Sequence, residues 1–252
     1  MNILVCVKRV PATGGKVSLT ADEQEIDTRF LGFTISPHEE CAVEEAIRIV
    51  EKQGGSVTVL TLGPEAALEQ LRDTLAMGAE RALLLETDGR EWDAGATARA
   101  IVEALRAESH PFDLLLFGNE SADASGYQVG PRVAHALDLP CVVGVKALDI
   151  QDGVATAKRE VKGGWEIYAA PLPAVITVKE GINLPRYPSF QGRLKAKKKD
   201  IPRLRPQWSG NDLEKVRLKL PPEQGGRQAE VLGRGPEAAP KAIEVFKRLG
   251  VM

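Results

Sequence analysis

Short apolar runs alternate along this chain with stretches of helical period, and that alternation restricts the possible folds more than any other feature. The runs are "NILVCVK", "SVTVLTLG", "RALLLET" and "FDLLLFGNE". Between them lie "PHEECAVEEAIRIVEKQ", "PEAALEQLRDTLAMG" and "DAGATARAIVEALRAE", and "QVGPRVAHALDLP" follows the last. Continuous apolar runs, rather than an apolar and polar alternation, suit strands buried on both faces. The pattern predicts an α/β fold: a mostly parallel sheet with helices on both faces, right-handed crossovers and a ligand crevice at the strands' carboxyl ends. From about Val142 to Pro173 the pattern shortens, with turns at "QDG" and "KGG", which predicts a β-hairpin addition before "LPAVITVKEG" returns to a buried strand.

The 252 residues suffice for one sizeable core. A formal charge of −2 leaves no overall field to gather nucleic acid or an anionic membrane, so the lysine run "KAKKK" must act locally. Cys6, Cys41 and Cys141 show no paired spacing, and the apolar surroundings of Cys6 and Cys141 suggest small buried hydrophobes in a reducing compartment. "MNILVCVKRV" reads as a buried strand rather than a targeting peptide, and no apolar run approaches the roughly 18 residues of a membrane span. A cytoplasmic protein without membrane insertion is expected. After Lys199, "DIPRLRPQWSGNDLEKVRLKLPPEQGGRQAEVLGRG" is rich in Pro, Gly and charge, and "PEAAPKAIEVFKRLGVM" closes the chain with an amphipathic helix. Residues 200–252 are therefore expected to form an extended C-terminal arm with a terminal helix, ordered by lying across a partner.

"LLLFGNESADASGYQVGP" follows a strand and opens a helix. Its small residues Ser121, Ala122, Ala124, Ser125 and Gly126 let backbone N–H groups approach an anion, and the helix start adds attraction for phosphate. Asp123 either caps the turn or receives a ribose hydroxyl, and Ser125 is the candidate N-cap if the stretch is only a connecting loop. The spacing matches neither a Walker A loop nor G-x-G-x-x-G, so it does not by itself name the ligand. In "FTISPHEECAVEEAIRI", Ser36 precedes Pro37 as N-cap and His38-Glu39-Glu40 forms the first turn, an ordinary helix start or a second wall of the same pocket. His38, His110 and His135 have no acid or nucleophile at useful spacing, and no Cys/His cluster suggests a metal. No catalytic residue is assigned.

Several stretches together resemble the β subunit of electron transfer flavoprotein, from Met1 to about Lys199: "VCVKRVP", "CAVEEAIRI", "DTLAMGAERALLL", "GNESADASGYQVGP" and "LPAVITVKEGINLPRYPSFQGRLKAKKK". The resemblance implies an adenine-nucleotide α-hydrolase-like α/β fold over residues 1–199, a related α subunit carrying the redox-active FAD, and a structural AMP bound by this chain. Carried onto this sequence, the AMP site comprises Cys6, the turn Ser36, Pro37, His38 and Glu39, then Leu62, and the loop Gly118, Asn119, Glu120, Ser121, Ala122, Asp123, Ala124, Ser125, Gly126, Tyr127, Gln128 and Val129.

The family's recognition loop corresponds to residues 184–199, with Tyr187 beside the docking position and Phe190 at it, where relatives usually carry leucine. Such a side chain plugs an apolar pocket on acyl-CoA or related dehydrogenases, and a quinone oxidoreductase is the expected acceptor. Pro188 and Gly192 argue against a continuous helix or strand around Phe190. Leaving such a ring in water costs on the order of 2 kcal/mol, which transient burial in a partner offsets; alternatively the ring tucks into its own core. Glu160 of "KREVKGG" matches a position that touches the mobile flavin domain through an arginine of the α subunit, or is a solvated hairpin carboxylate. Two other readings stand beside this one. A flavin-bifurcating variant would hold a second FAD in place of AMP, and shares "QVGP" but not the bulky Tyr127; a stand-alone hydrolysing or adenylating enzyme would leave the docking block and arm unexplained.

Overall fold

The computed structural model of the chain describes residues 1–12, 14, 17–221 and 230–251. Its elements begin with β1 (Asn2–Cys6), β2 (Arg9–Pro11), β3 (Phe33–Ile35), α1 (Pro37–Gln53), β4 (Ser56–Gly63), α2 (Leu68–Met77), β5 (Arg81–Glu86), α3 (Ala94–Ala107) and β6 (Leu114–Gly118). There follow α4 (Val129–Leu137), β7 (Cys141–Gln151), β8 (Val154–Val161), β9 (Gly164–Pro171), β10 (Ala174–Val178), α5 (Phe190–Lys198), β11 (Arg203–Leu204) and α6 (Ala239–Leu249).

Nine strands form one sheet in the order β11-β5-β4-β1-β6-β10-β7-β8-β9. Pairing is parallel from β11 to β7 and antiparallel through β8 and β9. The continuous apolar runs are explained by burial on both sides: Ile3, Val5, Leu114 and Leu116 join the core that includes α1 and α2 residues, while Leu4, Cys6, Leu115 and Phe117 face that of α3 and α4. A side-chain period of two sends neighbours to opposite faces, so a strand covered on both is apolar at nearly every position, and the buried Thr61 and Thr177 are hydrogen-bonded. The "QDG" and "KGG" turns join the antiparallel strands as expected, with Gly153 and Gly163 at φ of 76° and 89°, a region that favours glycine.

Three local expectations change. Cys141 is exposed at the start of β7, whereas Cys41 is buried on α1; an apolar neighbourhood in sequence does not say which side of a strand end faces water. Phe190 is the first residue of helix α5 rather than part of an open loop. Pro188 lies outside that helix, Ser189 caps it by accepting from Gly192 N at 3.0 Å, and Gly192 is there because an added Cβ would stand 2.4 Å from Ala76 O on α2. Finally, the first part of the arm has ties to its own domain. β11 extends the sheet beside β5, Trp208 meets Trp92 edge-on at 4.9 Å, and Asp93 accepts from Asp212 N and Leu213 N at 2.6 and 3.0 Å. Residues 222–229 of the arm and Met252 of the closing segment lie outside the described residues. Helix α6 buries none of its described side chains and exposes Phe246 and Leu249.

Candidate functional site

Strand β1 lies between β4 and β6, and the chain winds outward to β4 and β5 on one side, then to β6, β10 and β7 on the other. Connections leaving β1 and β6 therefore diverge, which opens a crevice at their carboxyl ends. Cys6 and Phe117 are register partners there, and Leu62 is the last residue but one of β4 in the same sheet. The amino-terminal turn of α1 closes the crevice against Gly118. A Cβ on Gly118 would fall 2.5 Å from Glu39 Cγ and 3.3 Å from His38 Cβ, so only glycine permits this approach.

Glu39 is buried on that turn, and its Oε2 accepts the backbone N–H of Lys8 at 2.8 Å. Burial pushes its carboxyl up to about 8, against the opposing effect of the hydrogen bond from Lys8 N–H. Burial likewise pushes the Cys6 thiol up, which makes it an inert apolar wall. Ser36 occupies the N-cap and Pro37 the first helical position, as the sequence indicates. Its hydroxyl makes no cap bond, however; it accepts Ala122 N at 3.0 Å and ties the 118–129 loop to the helix start.

The loop itself is anchored through its first half, at Asn119, Glu120, Ala122 and Asp123. Asn119 N donates to Val178 O at 2.8 Å, and Thr177 Oγ1 donates to Asn119 Oδ1 while accepting Gly144 N. Lys8 Nζ meets Asp123 Oδ2 at 2.6 Å; burial raises that carboxyl, yet Lys8 prevails and holds it below its ordinary value. His38 Nε2 stands 3.7 Å from Glu120 Oε1, and burial lowers the imidazole pKa against Glu120's opposite pull. From Ala122 to Gln128 the residues are exposed, with Ser125 and Tyr127 in the left-handed region at φ 45° and 57° and nothing within 4 Å of a Cβ on Gly126. Ser125 is not the N-cap of α4: Gln128 holds that position before Val129, and Ser125 N instead closes a turn on Ser121 O. Small exposed residues thus lie at a strand end, next to a lysine and a helix start, which suits a phosphate-bearing ligand.

The partners Lys8 and Thr177 were not among the sequence-assigned site residues. Lys8 stands in "VCVKRVP", but only the fold brings it beside residues 39 and 123. Two concavities open elsewhere, one of about 400 Å³ between Arg90, Trp92, Arg205 and Trp208, the other of about 360 Å³ beside Arg99, Arg132 and His135; neither includes the crevice residues. Among the described residues no cluster of His, Cys, Asp or Glu is arranged to hold a metal, and no helix is long and apolar enough to cross a membrane.

On the segment after β10, Leu184, Tyr187 and Phe190 expose 83%, 87% and 77% of their surface, so the ring of Phe190 does not join the core. Arg193 stacks over Tyr187 at 5.5 Å. Helix α5 is clamped from α2: Arg72 donates to Ala196 O at 2.7 Å, and Arg193 pairs with Asp73 at 3.3 Å. Glu160 sits far along the chain on the β8–β9 hairpin, opposite Trp165 and 3.1 Å from Lys146 Nζ.

The mostly parallel sheet with its antiparallel extension and covering helices places the chain among α/β proteins. The family described as electron transfer flavoprotein domain matches residues 26–207. The chain is 38% identical to the electron transfer flavoprotein subunit beta of Bacillus subtilis over 206 residues, 81% of this chain and 79% of that one. Over 248 residues it is 35% identical to the subunit beta of Thermoanaerobacterium thermosaccharolyticum, covering 98% and 92% of the two chains. The chain belongs to the electron transfer flavoprotein family, among its β subunits.

Proposed function

We propose that this chain is the β subunit of a heterodimeric electron transfer flavoprotein in the cytoplasm. It holds AMP as a structural ligand, supports the FAD domain of its α subunit and docks acyl-CoA or related dehydrogenases, with a quinone oxidoreductase as acceptor. Its own residues catalyse no step. The observation that supports the nucleotide assignment is the crevice in which Gly118 admits the α1 turn, Ser36 holds Ala122, and the residues from Ala122 to Gln128 lie exposed beside Lys8. That cradle of small residues and N–H groups fits a phosphate; Cys6, Leu62 and Val129 would form its apolar side. The observation that supports docking is Phe190, exposed at the start of a clamped helix. The FAD of the α subunit supplies the redox chemistry. Among the described residues, 230–251 with the unburied α6 are the part of the arm offered to that subunit.

Extraction of nucleotides from the heterodimer, co-expressed with its α subunit, tests this assignment: one AMP and one FAD are expected. Gln128, Val129, Gly130 and Pro131 favour the bifurcating variant as second reading, and two FAD without AMP would establish it. Turnover of ATP by the isolated chain would instead support a stand-alone enzyme.

A further inference from the structure

The stretch from Leu184 to Ser189 has no ladder or helix of its own, yet it carries two of the most exposed apolar side chains and leads straight to Phe190. What holds it is one buried carboxylate. Glu44 lies on α1 with 3% of its side chain exposed. Its Oε2 accepts Arg186 N at 3.1 Å and Arg186 Nε at 2.8 Å, while Oε1 accepts Arg48 Nε at 2.6 Å. Arg48 in turn donates to Leu184 O at 3.2 Å, and Arg186 reaches Glu51 at 2.6 and 2.9 Å. Asn183 completes the attachment by donating to Cys41 O and Glu45 on the same helix. Glu44 thereby takes hold of a main-chain N–H and a guanidinium directly, and of a carbonyl through Arg48.

We propose that Glu44 is the positioning residue of the docking segment, holding Leu184 to Ser189 on α1 so that Tyr187 and Phe190 are presented at a fixed place and angle. The inference rests on the docking reading of Phe190. Taking the Glu44 carboxylate out of water costs much of what its partly exposed arginine partners return, so these pairs add little net stability compared with apolar packing. They do specify geometry, and the forked guanidinium of Arg186 fixes direction where a lysine would fix only distance. Segments presenting an exposed ring to a partner need that order beforehand, since any freedom left in the loop must be removed on binding. The far end of the segment is fixed independently: Ser189 caps α5, and Gly192 lies against Ala76. Tyr187 and Pro188 are therefore stretched between two attachments, of which Glu44 supplies one.

The test uses the heterodimer with its α subunit, an acyl-CoA dehydrogenase reduced by its acyl-CoA, and three variants: Glu44→Gln, Arg186→Lys and Phe190→Ala. Arg186→Lys keeps the charge on a partly exposed side chain and guards against a Glu44 variant that does not fold. Amide exchange across residues 184–189 should quicken roughly tenfold or more in Glu44→Gln and Arg186→Lys, with exchange in α1 unchanged. Apparent KM for the dehydrogenase should rise several-fold while kcat and the rate of flavin reduction by dithionite stay as in the parent protein. Unchanged exchange at 184–189, in either folded variant, overturns the positioning role. So does quickened exchange with unchanged KM, provided Phe190→Ala raises it. If Phe190→Ala leaves KM unaltered, the docking reading itself falls, and the exchange data still decide whether Glu44 orders the segment.

Discussion

Helix α1 carries two buried glutamates five residues apart, and they behave in opposite ways. Glu39, at the crevice, faces Cys6, Gly118 and the backbone N–H of Lys8, without a guanidinium; burial dominates and its carboxyl rises to about 8. Glu44, beneath the docking segment, is also desolvated, but hydrogen bonds from Arg186 and Arg48 outweigh this and hold it below the ordinary range. Burial alone does not determine the charge of a carboxyl; the number of donors that reach it does. The crevice sets an exposed loop of small and polar residues over a protonatable floor, whereas the segment leading into α5 turns apolar rings outward over a fixed charge. One is suited to receive an anion and the other to be received by an apolar pocket.

The largest way to break the contrast is at Glu39. Its folded-state pKa lies above the unfolded value, so its contribution to stability is fully present below about pH 4.5 and is lost as pH rises to about 8. Glu39→Gln keeps an acceptor for Lys8 N–H and abolishes this titration. Relative to the variant, the parent protein should lose about a few kcal/mol across that window, measured by denaturant unfolding at a series of pH values. Parallel stability curves would show that Glu39 is ionised at little cost. Glu44 has the opposite sign: its contribution is present above the ordinary carboxylate pKa and is lost as pH falls through its depressed value.

Gly118→Ala sharpens the steric half of the crevice. An added methyl 2.5 Å from Glu39 Cγ and 3.2 Å from Glu39 N must displace the helix turn, with an expected loss of about 1–3 kcal/mol and a fall in bound AMP. Retained nucleotide content in the purified heterodimer would mean that the turn yields without disturbing the site.

At the docking end, Phe190→Ala should leave the melting temperature nearly unchanged, because the ring is 77% exposed. Affinity for the dehydrogenase should fall by about 2 kcal/mol, roughly thirtyfold, seen as a raised KM at constant reactivity toward a chemical reductant. Phe190→Leu should retain docking, and Phe190→Asp should remove it. A variant that unfolds would instead assign the ring to the core.

The smallest effects belong to exposed polar groups. If backbone N–H groups hold the nucleotide as proposed, Ser125→Ala should weaken its binding by no more than about 1 kcal/mol. Glu160→Ala removes a surface pair with Lys146 and should change stability by about 0–1 kcal/mol. Domain orientations seen by solution scattering should nevertheless shift; an unaltered ensemble would reduce Glu160 to a solvated carboxylate.

The alternation of the long strands and helices from β1 to β10, the two-sided core and the antiparallel extension could be read from the sequence because they depend on local periodicity, which water and backbone geometry impose residue by residue; the short β2, β3 and β11 and helix α5 could not. Ser36 at an N-cap before Pro37 was legible for the same reason. The destination of its hydroxyl was not, because Ala122 is distant in sequence and meets it only when β1 and β6 become neighbours. Lys8 beside Asp123, Cys141 in solvent and the strap of residues 203–213 on its own domain likewise depend on which elements pack together. Gly192 makes the point most simply. By local propensity it should weaken a helix, and a close approach of α2 that no local rule contains turns that weakness into the condition for α5 to fit, leaving Phe190 at its exposed end. Local chemistry determined the elements of this protein; long-range contact, where desolvation and steric fit act between residues far apart in the chain, decided which side chains are buried, charged or presented.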